Sequence, residues 1–156
     1  MQIRIYTDGA CGGNPGHGGW AMVFNTDKQC KTYGGYDVET TNNRMELTAV
    51  NECLKKISKH KSKDDVFEIY SDSAYVINAI VKKWLHGWQG NGWKTKTGDD
   101  IKNRDLWEQT SKYLQLIETT GQKVTFVKIK GHAGNTFNEM VDKLAKEQSI
   151  KAQSVR

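Results

Sequence analysis

The sequence of 156 residues has little cysteine, a single proline and no long apolar run. Its three cysteines, Cys11, Cys30 and Cys53, are odd in number and lack the paired spacing of a zinc site, so we expect reduced thiols. No segment approaches the ~20 apolar residues that a membrane-spanning helix needs. The first residues also lack the apolar run of a secretory signal. We therefore expect a cytoplasmic protein with no membrane partner.

The composition is that of a folded domain with a basic surface. Hydrophobic residues make up 37% of the chain, and the formal net charge is +5 with a pI near 9.0. This charge favours polyanionic partners without identifying one. We find no internal repeat or linker, and we predict one domain over residues 1–150, a frayed tail at 151–156 and a monomer.

Alternating and helical patterns predict one mixed sheet. Ile3 and Ile5 alternate with Arg4 and Tyr6, which predicts a strand ending at Asp8. After it the patterns predict, in chain order, a glycine-rich turn at residues 9–19, strands at about 20–25 and 29–36, a helix that starts at residues 40–43, a strand at Val66–Ser71, a helix at about 73–82, an irregular tryptophan-rich stretch to about 97, a helix that Gly121 stops, a strand at residues 124–130 and a last helix at 137–148. This order implies an α/β fold with a mixed five-stranded sheet, a three-strand antiparallel meander plus parallel strands, flanked by helices.

Four acidic residues fall at the ends or inner faces of these elements. Asp8 and Asp72 each end a strand, and parallel neighbouring strands would bring both to one edge of the sheet. Glu46 heads the apolar stripe of its own helix, and Asp142 lies at the margin of another stripe. Taken singly, such residues are more often helix caps or surface charges, so spacing alone leaves their convergence open. If they converge, divalent cations would relieve a repulsion of about 4 kcal/mol per pair at ~4 Å.

Six segments resemble the ribonuclease H type 1 family of the bacterial kind, in order and with similar spacing. They are residues 7–16 (TDGACGGNPG), 41–47 (TNNRMEL), 71–76 (SDSAYV), the stretch from Trp84 to Lys94, residues 103–107 (NRDLW), and residues 130–134 (KGHAG) followed by Asn138, Glu139 and Asp142. The resemblance covers about 145 residues and implies a ribonuclease H-like fold. It also implies an endonuclease that hydrolyses the RNA strand of an RNA–DNA hybrid and leaves 5′-phosphate and 3′-hydroxyl ends.

The resemblance assigns the catalytic residues. It makes Asp8, Glu46, Asp72 and Asp142 the metal ligands and catalytic carboxylates for two Mg²⁺ ions, with Mn²⁺ possible, and Asp8 would bridge both. His132 would be a proton shuttle or an aid to product release, in keeping with a histidine flanked by glycine.

The resemblance also assigns substrate contacts. Asn14 and Asn42 would read the minor groove, and Thr41 and Asn103 would hold a phosphate of the DNA strand. The surface around Trp84, Trp88 and Lys94 would carry the nucleic-acid backbone. From the residues alone, asparagines beside helices are also ordinary caps, and tryptophans also pack onto cores.

This sequence departs from the family pattern at three places. Ala74 stands where many members have a glutamine that contacts bases, and Glu39 where an arginine often supports the phosphate pocket. Residues 89–92 (QGNG) replace a basic run. All three bear on substrate affinity and leave the carboxylates unchanged.

Two alternative functions stay open on the sequence. A related two-metal nuclease with the same sheet, such as a 3′-exonuclease or a DNA resolvase, would use similar carboxylates. A catalytically silent hybrid-binding domain would keep the fold, although silent relatives usually lose a carboxylate. The substrate that is cut and the metal dependence of cutting discriminate among these functions.

Overall fold

In the computed structural model, residues 1–130 and 136–155 are described, and their strands form one five-stranded sheet. Strands β1 (Gln2–Cys11), β2 (Gly16–Asn25) and β3 (Cys30–Thr40) form an antiparallel meander. Strands β4 (Val66–Ser71) and β5 (Lys123–Lys128) continue the sheet on the other side of β1, parallel to it and to each other, in the order β3-β2-β1-β4-β5. The predicted mixed sheet is confirmed.

Five helices are described beside the sheet. They are α1 (Asn42–Ser58), α2 (Ala74–Val81), α3 (Trp84–Gly90), α4 (Arg104–Thr120) and α5 (Thr136–Gln153). The N-cap of α1 is Thr41, whose Oγ1 accepts a hydrogen bond from Arg44 N at 3.2 Å, as the polar start of this helix predicts. Gly121 ends α4 in the left-handed region at φ +82°, where glycine carries no Cβ penalty. None of the helices in the described ranges is long and apolar enough to cross a membrane.

Several predicted boundaries are corrected by the structure. The tryptophan-rich stretch is not wholly irregular, because α3 occupies Trp84–Gly90. The segment predicted as a glycine-rich turn is mostly strand, since β1 runs to Cys11 and β2 begins at Gly16. Glycine conceals this strand in the sequence because it supplies no side chain to the alternating pattern. Helix α5 extends to Gln153, three residues into the predicted tail.

Helices cover both faces of the sheet. On one face, Ile5 and Phe67 pack with Leu47 of α1 and with Trp107 of α4, and all are buried. On the other face, α5 lies over a smaller cluster that contains Tyr6, Ala21, Val23, Val141 and Ala145. The alternation of side chains along β1 therefore supplies both cores, because successive residues point to opposite faces.

One polar contact is buried between α1 and α4. Asn51 is 3% exposed, its Nδ2 donates to Leu106 O at 3.0 Å, and its Oδ1 accepts from Thr110 Oγ1 at 2.5 Å. A buried amide with both ends bonded fixes how the two helices pack, because breaking these bonds leaves buried polar atoms without partners.

We expect Asn51→Ala to lower the free energy of unfolding by about 2 kcal/mol, because it removes two buried hydrogen bonds and leaves a void. Urea denaturation followed by circular dichroism measures the change. Glu52→Ala, at the next position of the same helix, is the matched control and should change stability by less than about 0.5 kcal/mol. Equal stabilities for the two variants would contradict the contact.

Candidate active site

Three carboxylates meet where the parallel pairing of β1 with β4 ends. Tyr6 of β1 lies opposite Tyr70 of β4. Asp8 and Asp72 each follow two residues later and therefore reach the same edge of the sheet. Glu46 comes from the first turns of α1. One carboxylate oxygen from each residue lies within 4.8 Å of the others. Asp8 and Glu46 are each 4% exposed, whereas Asp72 is partly exposed.

Gly9 allows α1 to approach β1 this closely. A Cβ atom at this position would lie 2.4 Å from Glu46 N and 2.5 Å from Met45 C, which are backbone atoms of the helix. Only a residue without a side chain lets the first turn of α1 lie directly on the end of β1. The backbone contact therefore sets the distance between Asp8 and Glu46.

Asp142 joins the same pocket from α5. This pocket has a volume of about 390 Å³, and all four predicted carboxylates line it together with Asn42, Asn43, Ser73, Ala74 and Tyr75. The Asp142 side chain lies within hydrogen-bonding reach of Asp8. Its Oδ2 is also bound by Lys146 Nζ at 2.9 Å, one turn along the helix. The structure thus brings together the four carboxylates that the sequence singles out.

The electrostatics of the pocket disfavour full ionisation. Burial, followed by the charge of Asp72 and the contact with Asp142, raises the pKa of Asp8 from its ordinary 3.8 to about 7, against the lowering effect of its contact with Glu46. Burial and the neighbouring Asp8 carboxylate raise the pKa of Glu46 well above its usual range. Without a cation, the pair therefore holds a proton between Asp8 and Glu46 near neutral pH.

The site fits a divalent cation on two independent observations. Glu46 Oε2 is buried and has no hydrogen-bond partner among the described residues, although a buried carboxylate oxygen normally has one. No lysine, arginine or histidine of the described chain lines the pocket to balance its acidic groups. Hard cations such as Mg²⁺ and Mn²⁺ prefer oxygen ligands, and the pocket supplies carboxylate oxygens from four residues.

His132, the fifth predicted catalytic residue, lies outside the described residues.

Three of the predicted substrate residues lie beside the carboxylates. Asn14, Thr41 and Asn42 line a small pocket with Asn43 and Lys102, and Asn42 also lines the carboxylate pocket. Thr41 Oγ1 also caps α1, so this residue has a structural role in the helix start. The pocket combines amide, hydroxyl and ammonium groups, which suit the oxygens of a phosphate.

Asn103 is held in a hydrogen-bond network instead of lining that pocket. Its Nδ2 donates to Tyr75 Oη at 2.9 Å, and its Oδ1 accepts from Arg44 Nη1 at 3.3 Å. Trp107 Nε1 also donates to Tyr75 Oη at 2.9 Å, and Arg44 makes a bidentate ion pair with Asp105 at 2.7 and 2.9 Å. This network joins the start of α1 to the start of α4 and ties α4 to Tyr75 of α2, which lines the carboxylate pocket.

The predicted tryptophan surface forms a separate hollow. Trp84, Trp88 and Lys94 line it together with Lys83 and Lys96. Trp84 is 47% exposed, whereas Trp88 also packs its ring against the buried Trp107 at 5.4 Å between centroids. Lys94 Nζ is paired with Asp100 Oδ1 at 2.6 Å. Trp88 therefore packs onto the core, whereas Trp84 leaves about half of its side chain exposed beside lysines.

The roles of Tyr75 and Lys146 at this site were not predicted from the sequence. The partners of Tyr75 lie 28 and 32 residues away along the chain, and no local sequence pattern predicts such a contact. Lys146 could have been noticed, because a lysine four residues after an aspartate on a helix is a favourable ion-pair spacing. The hydrogen bond to Asp142 and the charges of Asp142 and Asp8 raise the pKa of Lys146.

Taken together, the sheet and its four carboxylates define an acidic site of the kind that holds divalent metal ions. A sequence profile of the RNase H family matches residues 1–150. The ribonuclease H of Syntrophomonas wolfei is 47% identical over 145 residues, covering 93% of this chain and 94% of that protein. The ribonuclease H of Chlorobaculum parvum is 45% identical over 152 residues, 97% of each chain.

Solved structures agree with the sequence relatives. LC9-RNase H1, a type 1 RNase H with the type 2 active-site motif, is 27% identical with a TM-score of 0.79, over 97% of this chain and 73% of that one. LC11-RNase H1, solved in complex with an RNA/DNA hybrid, is 26% identical with a TM-score of 0.69, over 97% of this chain and 99% of that one. The chain belongs to the ribonuclease H family and is a hydrolase of that family, which confirms the family and the fold predicted from the sequence.

Proposed function

We propose that this chain is an endoribonuclease that cuts the RNA strand of an RNA–DNA hybrid by a two-metal mechanism and leaves 5′-phosphate and 3′-hydroxyl ends. The observation that carries the proposal is the convergence of Asp8, Glu46, Asp72 and Asp142 on one pocket. Family membership and the hybrid bound to LC11-RNase H1 support the choice of substrate.

The four carboxylates would hold two Mg²⁺ ions, with Mn²⁺ as the alternative. Asp8 is within 4.8 Å of Glu46 and Asp72 and in contact with Asp142, so its carboxylate would be within reach of both ions. When bound, the metals supply an activated water nucleophile and charge stabilisation for the departing ribose oxygen.

The residues of the chain bind and orient the reacting strand. Glu46, on the first turns of α1, would accept a hydrogen bond from the ribose 2′-hydroxyl, the group that distinguishes RNA from DNA. The proton that the raised pKa values of Asp8 and Glu46 retain must leave before both can act as ligands, so metal binding and proton release are coupled. His132 is proposed to move a proton or to aid product release.

The rest of the substrate would follow the surface outside the pocket. Asn14 and Asn42 are proposed to contact the minor groove, and Thr41 and Asn103 a phosphate of the DNA strand. Asn103 would act from its fixed place in the network with Tyr75 and Arg44. The hollow around Trp84, Trp88 and Lys94 offers an exposed aromatic ring among lysines, an arrangement that suits a nucleic-acid backbone. We propose that the protein acts as a monomer.

Cleavage of a hybrid labelled at the 5′ end of its RNA strand tests the function. We expect internal cutting of the RNA with Mg²⁺, none with EDTA, and none of single-stranded RNA, duplex RNA or duplex DNA. Mapping the ends of the fragments checks the predicted 5′-phosphate and 3′-hydroxyl. Hybrid binding without cutting in Mg²⁺ or Mn²⁺ would instead indicate a silent binding domain, and cutting of duplex DNA would indicate a related nuclease.

We expect Ala74→Gln to tighten hybrid binding about fivefold, the effect of one added hydrogen bond of about 1 kcal/mol. Ala74 is exposed at the start of α2 and lines the carboxylate pocket, so a longer side chain can reach a bound strand. Fluorescence anisotropy measures the affinity in an Asp8→Asn background, where the hybrid is not cut. Ala74→Met adds similar bulk without an amide and is the control. Unchanged or weaker binding by Ala74→Gln would show that other contacts already compensate for the missing amide.

A further inference from the structure

Lys146 is the cation that contacts the acidic pocket in the described part of the chain. It lies one turn after Asp142 on α5, and its Nζ donates to Asp142 Oδ2 at 2.9 Å. The residues that line the pocket include four carboxylates and, within residues 1–130 and 136–155, no basic side chain. Lys146 therefore neutralises part of this charge from just outside the lining.

The ion pair is held only loosely. The Lys146 side chain is 61% exposed and the Asp142 side chain 32% exposed. A solvated lysine has a long flexible stem, so its ammonium can leave the carboxylate at little cost. This contrasts with Asp8 and Glu46, which are almost fully buried. Asp142, which also contacts Asp8, thus has in Lys146 one partner that is easily exchanged.

We propose that Lys146 is an internal counter-ion that occupies the Asp142 carboxylate in the metal-free protein and competes with divalent cations for it. The proposal rests on the metal-dependent function proposed above. It makes Lys146 a positioning residue that acts through Asp142, not a residue that touches the reacting atoms. Its consequence is a lower affinity for metal on the Asp142 side of the pocket than the carboxylates alone would give.

Two physical effects act in the same direction. A metal that takes Asp142 as a ligand must displace the ammonium from Oδ2, so the ion pair has to break first. The displaced ammonium remains near an incoming divalent cation, and like charges repel at this range unless salt screens them. The opposite possibility is that Lys146 holds Asp142 in a productive orientation, in which case removing the lysine would weaken metal binding.

Calorimetric titration of Mg²⁺ into the protein without nucleic acid tests the proposal at low ionic strength. We expect Lys146→Gln to lower the dissociation constant about two- to fivefold, the size that a solvated ion pair and its charge permit. Lys146→Arg keeps the charge and should stay close to the wild type. Lys143→Gln removes an exposed lysine of the same helix and controls for net charge. The advantage of Lys146→Gln should shrink as salt is added.

The outcomes separate this inference from the proposed function. A wild type that cuts the hybrid and binds Mg²⁺, with Lys146→Gln binding it equally or more weakly, overturns the inference alone. The same shift in Lys143→Gln also overturns it, because net charge would then explain the effect. A wild type that neither binds Mg²⁺ nor cuts the hybrid contradicts the proposed function itself. A shift confined to Lys146→Gln, matched by a lower Mg²⁺ concentration for half-maximal cleavage, supports the proposal.

Discussion

Asp8→Asn is expected to reduce hybrid cleavage by about 10³-fold or more, since metal-ion catalysis supplies several kcal/mol of transition-state stabilisation and each 1.36 kcal/mol is tenfold in rate. Asp8 lines the acidic pocket, close to Glu46 and Asp72 and in contact with Asp142. An amide at this position keeps the shape of the side chain. It cannot supply the negative charge that would hold two cations together.

The same substitution should stabilise the metal-free protein at neutral pH. The pKa of Asp8 is about 7 in the folded protein against an ordinary 3.8, so the folded state binds this proton more tightly than the unfolded state does. The free energy of unfolding of the wild type therefore falls as the pH rises from about 4 to about 7. Asparagine does not titrate and escapes this loss. The gain at pH 7.5 is on the order of 2 to 4 kcal/mol and disappears toward pH 4.

Urea denaturation in EDTA between pH 4 and pH 8, followed by circular dichroism, measures this stability difference. Asp64→Asn removes an exposed carboxylate elsewhere in the chain, and it should cleave the hybrid like the wild type. Near-wild-type cleavage by Asp8→Asn would refute the assignment of the site. A variant that is inactive but less stable than the wild type at pH 7.5 would show that Asp8 does not carry the buried charge inferred here.

The sequence predicted where Asp8, Glu46 and Asp72 lie because their positions follow from simple geometry. Asp8 lies just beyond the last pair of β1 with its parallel neighbour β4, and Asp72 directly follows β4, so both reach one edge of the parallel pair. Glu46 lies on the inward face of α1, as its spacing from Ala49 and Val50 requires. The spacing did not show that Asp142 joins them. That prediction rested only on the resemblance to the family in the order of the motifs.

The features that the sequence did not reveal depend on contacts between residues far apart in the chain, or on glycines, which have no side chain. The contacts that hold the Asn103 side chain were not predicted, because its partners Tyr75 and Arg44 lie 28 and 59 residues away. Helix α3 was missed because Gly87 and Gly90 interrupt a helical pattern of only seven residues. A glycine in a sequence also gives no sign of how closely two elements pack at that position. The contact of Gly9 with α1 was therefore not predicted.

Gly9→Ala is expected to disrupt the site by a single methyl group. The backbone of Gly9 lies in β1, and its φ is not in the left-handed region, so an alanine is compatible with the strand itself. Its Cβ, however, would lie 2.4 Å from Glu46 N and 2.5 Å from Met45 C. These backbone atoms cannot turn aside as a side chain could, so α1 must move away from β1 and carry Glu46 with it. Overpacking of this kind costs about 1–3 kcal/mol or more.

The displacement should separate activity from folding. A shift of about 1 Å in a catalytic group can cost on the order of 10²-fold in rate, so we expect Gly9→Ala to lose at least that much hybrid cleavage even where it remains folded. Circular dichroism with urea denaturation gives the stability, and cleavage is assayed at a temperature at which the variant is folded. Gly12→Ala is the matched control, because a Cβ there would meet its nearest atom at 3.6 Å, an ordinary contact. Wild-type stability and cleavage in Gly9→Ala would mean that α1 does not lie as close to β1 as this arrangement of Asp8 and Glu46 requires.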